Sequence, residues 1–159
     1  MKLDLSIAIS TALLSALWVV LAALLQIPAW AGFLGCTSFF AINENSIKAL
    51  LVCGFSLAAG AAWACMSLAA IHLKTGSLLI LFISTGLIAF FMCIQARLKY
   101  VSFIPGAFIG SCTVFGNTNQ IMPSLSALFI GLLAGFLMKY FGICLHKLTS
   151  SEKSSILNS

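Results

Sequence analysis

Short polar interruptions divide this otherwise apolar chain into six apolar segments. In chain order they cover about residues 5–25, 29–42, 47–71, 78–96, 101–116 and 124–145. A helix that crosses a bilayer needs about 20 apolar residues, and four of the segments are about that long or longer. The second and fifth are shorter and contain glycine or proline. The pattern predicts an all-α protein.

Composition places these helices in a membrane. Hydrophobic residues make up 62% of the chain and charged residues 7%, whereas soluble domains carry about 25% charged residues. So few charges cannot cover a surface that faces water, which predicts an integral membrane protein with the lipid bilayer as its partner. The basic residues are scattered singly, so the net charge of +5 does not indicate nucleic acid binding. The first segment is too long for a signal-peptide core and is expected to stay as a helix.

The charges also predict a topology, because cytoplasmic loops are rich in Lys and Arg. Suppose that all six segments cross and the N-terminus is inside. Lys74 is then the only basic residue of the loops and tails that lies outside. The cytoplasmic set is then Lys2, Lys48, Arg97, Lys99, Lys147 and Lys153. Re-entrant short segments would make the distribution nearly even. We therefore expect six crossings with both termini in the cytoplasm, one transmembrane domain over residues 1–148, and a disordered cytoplasmic tail over residues 149–159.

The two halves of the chain resemble each other at an offset of about 75 residues. Phe33 and Phe40 fall on Phe108 and Phe115, and the same offset places Ser56 and Gly60 on Gly131 and Gly135. This predicts two three-segment repeats, over about residues 5–72 and 78–147. Three crossings reverse the direction of the chain, so the second repeat is inverted. Short segments at matching positions of inverted repeats are the best sequence indication of a transport site.

The short segments hold the candidate path-lining residues. Irregular backbone at membrane depth occurs only where protein buries it or water lines it, and Pro105-Gly106 opens the fifth segment. The predicted path-lining residues are Cys36, Thr37, Ser38, Pro105, Gly106, Ser111, Cys112 and Thr113. Their hydroxyl groups could equally bond to carbonyls of their own helices.

Small residues four apart predict close helix packing, because they let two backbones approach each other. The predicted packing residues are Ala31, Gly35, Ser56, Gly60, Gly110, Gly131 and Gly135. Their seams could lie within one protomer or between protomers, and we expect a homo-oligomer.

Catalysis is not expected. The three acidic residues, Asp4, Glu44 and Glu152, lie near segment edges or in the tail, and the six cysteines show no C-x-x-C spacing. No enzyme activity, cofactor or metal site is therefore expected. Lys139 is the one charge inside a predicted helix. Either it extends toward the membrane surface or it provides an anion or counter-charge site.

The stretches "WAGFLGCTSFFA", "FMCIQAR" and "SFIPGAFIG" resemble small bacterial inner-membrane proteins of the YcdZ/YahC type. The similarity runs from about residue 7 to residue 141. It implies a location in the bacterial inner membrane. That family has no known function, so the resemblance assigns no site residues.

Two functional classes remain. The first is a channel or facilitator for a small uncharged solute, which the repeat and the paired short segments favour. The second is a non-transporting membrane scaffold or accessory subunit, which the small size and the lack of charged chemistry favour. We expect the first. A polar cavity between segments two and five would support it, whereas a dry, tightly packed seam would support the second.

Overall fold

The computed structural model describes residues 3–73 and 78–157, with side chains over residues 3–69 and 78–149. These residues form six α-helices and no strand. The helices are α1 (Leu3–Leu24), α2 (Ala29–Phe40), α3 (Ile47–Leu73), α4 (Leu78–Ile94), α5 (Ile104–Gly116) and α6 (Ile121–Leu157), and one 3₁₀ turn at Gln95–Arg97 follows α4. Lys74 and the side chains of the predicted tail from residue 150 onward lie outside the described part.

Among the described residues, four helical spans are long and apolar enough to cross a membrane: Leu3–Leu24, Ile47–Ala69, Leu78–Arg97 and Ile121–Thr149. The prediction of an all-helical membrane protein is confirmed. The helices α2 and α5 have 12 and 13 residues, and at 1.5 Å per residue each is only about 20 Å long. The sixth element is longer than expected, because α6 continues as helix to Leu157.

Each short helix begins at a proline. Pro28 is the residue before α2, and Pro105 lies in the first turn of α5. Proline lacks an N–H, and N–H groups in a first helical turn have no partner within the helix, so neither proline interrupts a helix. The N–H of Phe103, just before α5, donates to Ser56 Oγ on α3 at 3.2 Å. Pro105-Gly106 is therefore a helix start.

The short helix α2 packs along α6, and the two run in the same direction. Gly35 approaches Leu128, whereas Phe39, one turn later, approaches Gly135. Later residues of one helix thus meet later residues of the other.

The short helix α5 packs along α3 in the same way. Gly106 approaches Ser56, and Val114, two turns further along α5, shares a buried cluster with Ala64 of α3. The helices α3 and α5 are therefore also parallel to each other.

The helices α1 and α3 both run against α6. Ser10 Oγ donates to the Met138 carbonyl at 2.9 Å, and Ile7 approaches Gly142, so the start of α1 lies beside the later part of α6. Gly54 of α3 faces Leu132, whereas Ala61 and Ala64 cluster with Ile121. We call the side on which α1 and α3 begin the terminal side.

The core lies where the two short helices meet α3 and α6. Its largest cluster of buried side chains combines residues of α2, α3 and α6: Phe39, Ala49, Cys53, Leu57, Leu128 and Leu132. The helices α1 and α4 lie outside this core, and most of their large apolar side chains are exposed, as in helices that face lipid.

Candidate functional site

The seam between α2 and α6 leaves no space for a side chain at its glycines. A Cβ atom added at Gly35 would overlap the carbonyl oxygen of Leu128, and one added at Gly131 would overlap the carbonyl oxygen of Gly32. The two backbones are therefore in direct contact, and only glycine permits this approach.

The seam between α5 and α3 is built in the same way. A Cβ at Gly110 would overlap the carbonyl oxygen of Leu57, and one at Gly60 would overlap the carbonyl oxygen of Ala107. Gly60, Gly110, Gly35 and Gly131 were all predicted as packing residues, and the structure places each of them in a seam inside the protomer.

The contacts in the two seams correspond residue by residue. Gly110 lies 75 positions after Gly35, while their partners Leu57 and Leu128 are 71 positions apart. The same offsets relate the contacts Gly32–Gly131 and Ala107–Gly60. Ala107 lies 75 positions after Gly32, and Gly131 lies 71 positions after Gly60.

A pair of hydrogen bonds repeats this relation. Cys36 Sγ donates to the Gly131 carbonyl at 3.1 Å, and Ser111 Oγ donates to the Gly60 carbonyl at 2.7 Å. Cys36 and Ser111 are 75 positions apart, and the two carbonyls are 71 positions apart.

The predicted path-lining residues divide into two groups. Ser38, Thr113, Cys36 and Ser111 are buried, and the hydroxyls of Ser38 and Thr113 donate to carbonyls of their own helices, Gly35 at 2.6 Å and Ile109 at 2.9 Å. Gly106 is buried beside Phe103 and Ser56.

The other group is exposed on the outer faces of the two helices. It comprises Thr37, Cys112 and Pro105. Thr37 Oγ1 donates to the Phe33 carbonyl at 2.9 Å. The eight residues are therefore not brought together around one polar space.

The remaining predicted packing residues also lie inside the protomer. Ala31 is buried in a cluster with Trp18 and Ala127, and Gly135 approaches Cys36. Ser56 is buried and accepts the N–H of Phe103.

Lys139 closes one end of α2. Its ammonium group donates to the carbonyls of Phe39 at 3.0 Å, Phe40 at 3.4 Å, and Ile42. It also lies 5.1 Å from the ring centre of Phe39 and 5.4 Å from that of Phe40. A lysine has three donors, so these three carbonyls use all of them.

Two apolar grooves lie at the outer surface of the described part of the structure. One, of about 380 Å³, lies between α1 and α6 and includes Ile9, Leu13 and Phe141. Another, of about 360 Å³, lies between α3 and α6 and includes Phe55 and Phe129.

A third groove, of about 270 Å³, touches the predicted segments two and five at the terminal side, through Ile42 on one and Ser102 and Phe103 on the other, and it includes Glu44 and Lys48. It lies beyond the end of α2 and before the start of α5, away from the glycine seams.

Residues 8–143 match a family described as "Protein of unknown function (DUF1097)". The chain belongs to this family. It is 40% identical over 148 residues to the inner membrane protein YcdZ of Salmonella typhimurium, with 91% of each chain covered. It is 39% identical to inner membrane protein YcdZ of Escherichia coli, with 91% of this chain and 89% of the relative covered. No solved structure matches.

Membership of the DUF1097 family confirms the resemblance to YcdZ-type proteins. The relatives carry the name of inner membrane proteins, which agrees with the long apolar helices of this chain. The DUF1097 description assigns no activity, so function rests on the geometry.

One central contact of this DUF1097 protein was missed in the sequence. The Trp18 ring covers Gly32, and its Nε1–H donates to the Ala29 carbonyl at 3.0 Å. A tryptophan in the middle of a lipid-facing helix needs an acceptor for its N–H, and that requirement is the signal that marks Trp18 as a packing residue.

Proposed function

We propose that this protein is a non-transporting component of the bacterial inner membrane, a scaffold or accessory subunit. One observation carries the proposal. The two short helices, where a path was expected, touch α3 and α6 through their backbones at Gly35, Gly110, Gly60 and Gly131. A seam of this kind has no room for a solute.

The polar groups near the seams support the same proposal. A buried water needs a cavity and two to four polar partners. Cys36 and Ser111 already donate to carbonyls of the facing helices, and Ser38 and Thr113 donate within their own helices. These side chains satisfy backbone groups, and no enclosed polar space lies beside them among the grooves described above.

We also propose that all six helices cross the membrane. The helices α1 and α3 both run against α6, so the chain must return between them through α2. The helices α3 and α5 are parallel, so it must return between them through α4. The concentration of Lys and Arg on the terminal side supports a cytoplasmic location for that side and for both termini.

The two halves are proposed to be inverted repeats. The support is the set of corresponding contacts, in which α2 and α5 are related by 75 positions and α3 and α6 by 71. These contacts keep the sequence offset of 75 between α2 and α5, and they add an offset of 71 between α3 and α6 that the sequence similarity did not contain.

Such a protein acts through its lipid-facing surface. The outward faces of α1 and α4 carry exposed Leu13, Leu17, Phe82 and Phe90. We expect these faces to contact other membrane proteins or further copies of the chain, and a homo-oligomer remains a prediction.

A facilitator for a small uncharged solute is the second candidate. Inverted repeats with paired short helices are typical of transporters. In addition, the Ser124 hydroxyl is buried and makes no hydrogen bond within the described part of the structure. An unpaired buried hydroxyl costs free energy and would be satisfied by a solute or a water in another conformation.

Cysteine reactivity in lipid nanodiscs separates the two candidates. We would compare three single-cysteine variants. Two retain only Cys36 or only Cys53. In the third, all native cysteines are replaced and Asn43→Cys places a thiol at an exposed position. A small water-soluble thiol reagent should modify the Asn43→Cys thiol quickly, because thiolate chemistry requires water. Cys36 should be as unreactive as Cys53, since both are buried.

Modification of Cys36 much faster than that of Cys53 would contradict the scaffold proposal, because water would then reach the α2–α6 seam. Osmotic swelling of proteoliposomes in uncharged solutes gives an independent test. We expect proteoliposomes to swell at the same rate as protein-free liposomes. Faster swelling of the proteoliposomes would favour the facilitator.

A further inference from the structure

The ammonium group of Lys139 is held by the backbone of another helix. Lys139 belongs to α6, and its acceptors are the carbonyls of Phe39 and Phe40 at the end of α2 and of Ile42 just after it. The rings of Phe39 and Phe40 lie 5.1 and 5.4 Å from the same nitrogen, within the range of a cation–π contact. Five groups of the protein thus surround one cation.

This contact lies at a depth where the neighbouring helices are still apolar. Beyond Lys139, α6 continues with Phe141, Ile143 and Leu145 before it reaches His146 and Lys147. The helix α1 also continues in that direction, since Ile7 packs beside Gly142, one turn past Lys139. The end of α2 therefore stops short of both neighbours.

A helix that ends at this depth leaves carbonyl groups without partners. The last four carbonyls of a helix have no regular partner within it. At the end of α2 the N–H groups of Ala41 and Ile42 turn back to the carbonyls of Thr37 and Phe39, and in lipid no water supplies donors to the others. We propose that Lys139 is an internal cap, a positioning residue that closes the terminal-side end of α2 and so allows this short helix to end before its neighbours α1 and α6 do.

The cap excludes both roles considered from the sequence. A lysine that reached the membrane surface would place its ammonium in water, whereas this one is bound to three carbonyls. An anion site needs free donors, and none of the three is left.

The other short helix lacks such a cap. If the proposed repeat holds, the position that corresponds to Lys139 at the offset of 71 is Leu68, which packs in the cluster that includes Val114 near the end of α5. The α2 end is on the terminal side and the α5 end on the opposite side. The capping cation is thus found at the end of α2, which the proposed topology places toward the cytoplasm, and the corresponding position beside the end of α5 is Leu68.

Amine labelling of the unmodified protein in nanodiscs tests the cap directly. Lys48 and Lys147 are exposed on the terminal side and should react with a water-soluble acylating reagent. Lys139 should react at least about tenfold more slowly, because its amine becomes accessible only after local opening. A smaller difference between Lys139 and Lys147 would overturn the proposal in favour of a lysine that reaches the surface.

Hydrogen exchange tests the effect on α2. Lys139→Met keeps an unbranched side chain and removes the ammonium group, with its donors and its charge, and Lys147→Met is the matched control in the same helix. Exchange of the amides of residues 38–42 should be at least about tenfold faster in Lys139→Met, because the last turn of α2 would open locally. The control should exchange like the parent protein.

Unchanged exchange in Lys139→Met, or the same acceleration in Lys147→Met, would refute the cap. If Lys139→Met does not insert, the labelling of the unmodified protein still decides the question.

Discussion

At four positions of this protein, no side chain larger than the hydrogen atom of glycine fits. Gly35 and Gly131 face carbonyl oxygens across the α2–α6 seam, and Gly60 and Gly110 face carbonyl oxygens across the α5–α3 seam. Gly86 on α4 differs, since no atom lies within 4 Å of a Cβ placed there. It therefore provides a matched control for substitutions at the seams.

We expect Gly35→Ala and Gly110→Ala each to destabilise the protein by about 1–3 kcal/mol or more, because the added methyl group forces two backbones apart. Gly86→Ala should be neutral or stabilising by up to about 1 kcal/mol, since alanine is the better helix former. Thermal unfolding in detergent measures both effects. Equal stability of all three variants would show that the seams are looser than the structure indicates.

Among the elements, α5 shows why a proline can begin a helix at membrane depth. Pro105 is in the first turn and exposed, where its missing N–H leaves no carbonyl unpaired. The N–H of Phe103 before it is satisfied by Ser56 of α3. The element is therefore anchored by its neighbour and does not contain a kink.

Pro105→Ala should consequently change the stability by no more than about 1 kcal/mol, and in the direction of lower stability, because proline restricts the unfolded chain. Thermal unfolding and the oligomeric mass in detergent are the measurements. A loss of several kcal/mol, or a change in mass, would mean that the proline has a structural role beyond the start of α5.

For the whole molecule, the proposed topology predicts the location of two points of the chain. A reporter fused after Asn119 should be periplasmic, because it follows α5, and one fused at the C-terminus should be cytoplasmic, because six crossings return the chain to the side where it began. Alkaline phosphatase activity and green fluorescence distinguish the two sides. Fluorescence at both positions would contradict six crossings.

The sequence determined the class of the protein. Seven per cent charged residues cannot cover a water-facing surface, and apolar runs of about 20 residues have few alternatives to a membrane helix. The shortness of the second and fifth elements also followed from the sequence, since Pro28 and Pro105 mark their starts. These properties depend on local composition and on the backbone of each residue.

Which residues of the packed helices correspond between the two halves was shown only by the tertiary structure. The sequence aligned Gly60 with Gly135 at an offset of 75, whereas the contacts relate Gly60 to Gly131 at an offset of 71. The difference of four residues is close to one helical turn, so both alignments keep the same helix face. In a chain rich in Ala, Leu, Gly and Ser, residue similarity alone cannot choose between them.

The environment of each polar side chain was also decided only by tertiary packing. Cys36 and Cys112 belong to similar sequence triplets, yet Cys36 faces the Gly131 carbonyl and Cys112 faces outward. Lys139 looked like a lysine reaching for the surface, but the end of α2 brings three carbonyls to its ammonium group. A sequence shows that a polar group is present in a membrane helix. Which backbone satisfies it depends on the helix that packs beside it, and residues about 100 positions apart meet only when the chain has folded.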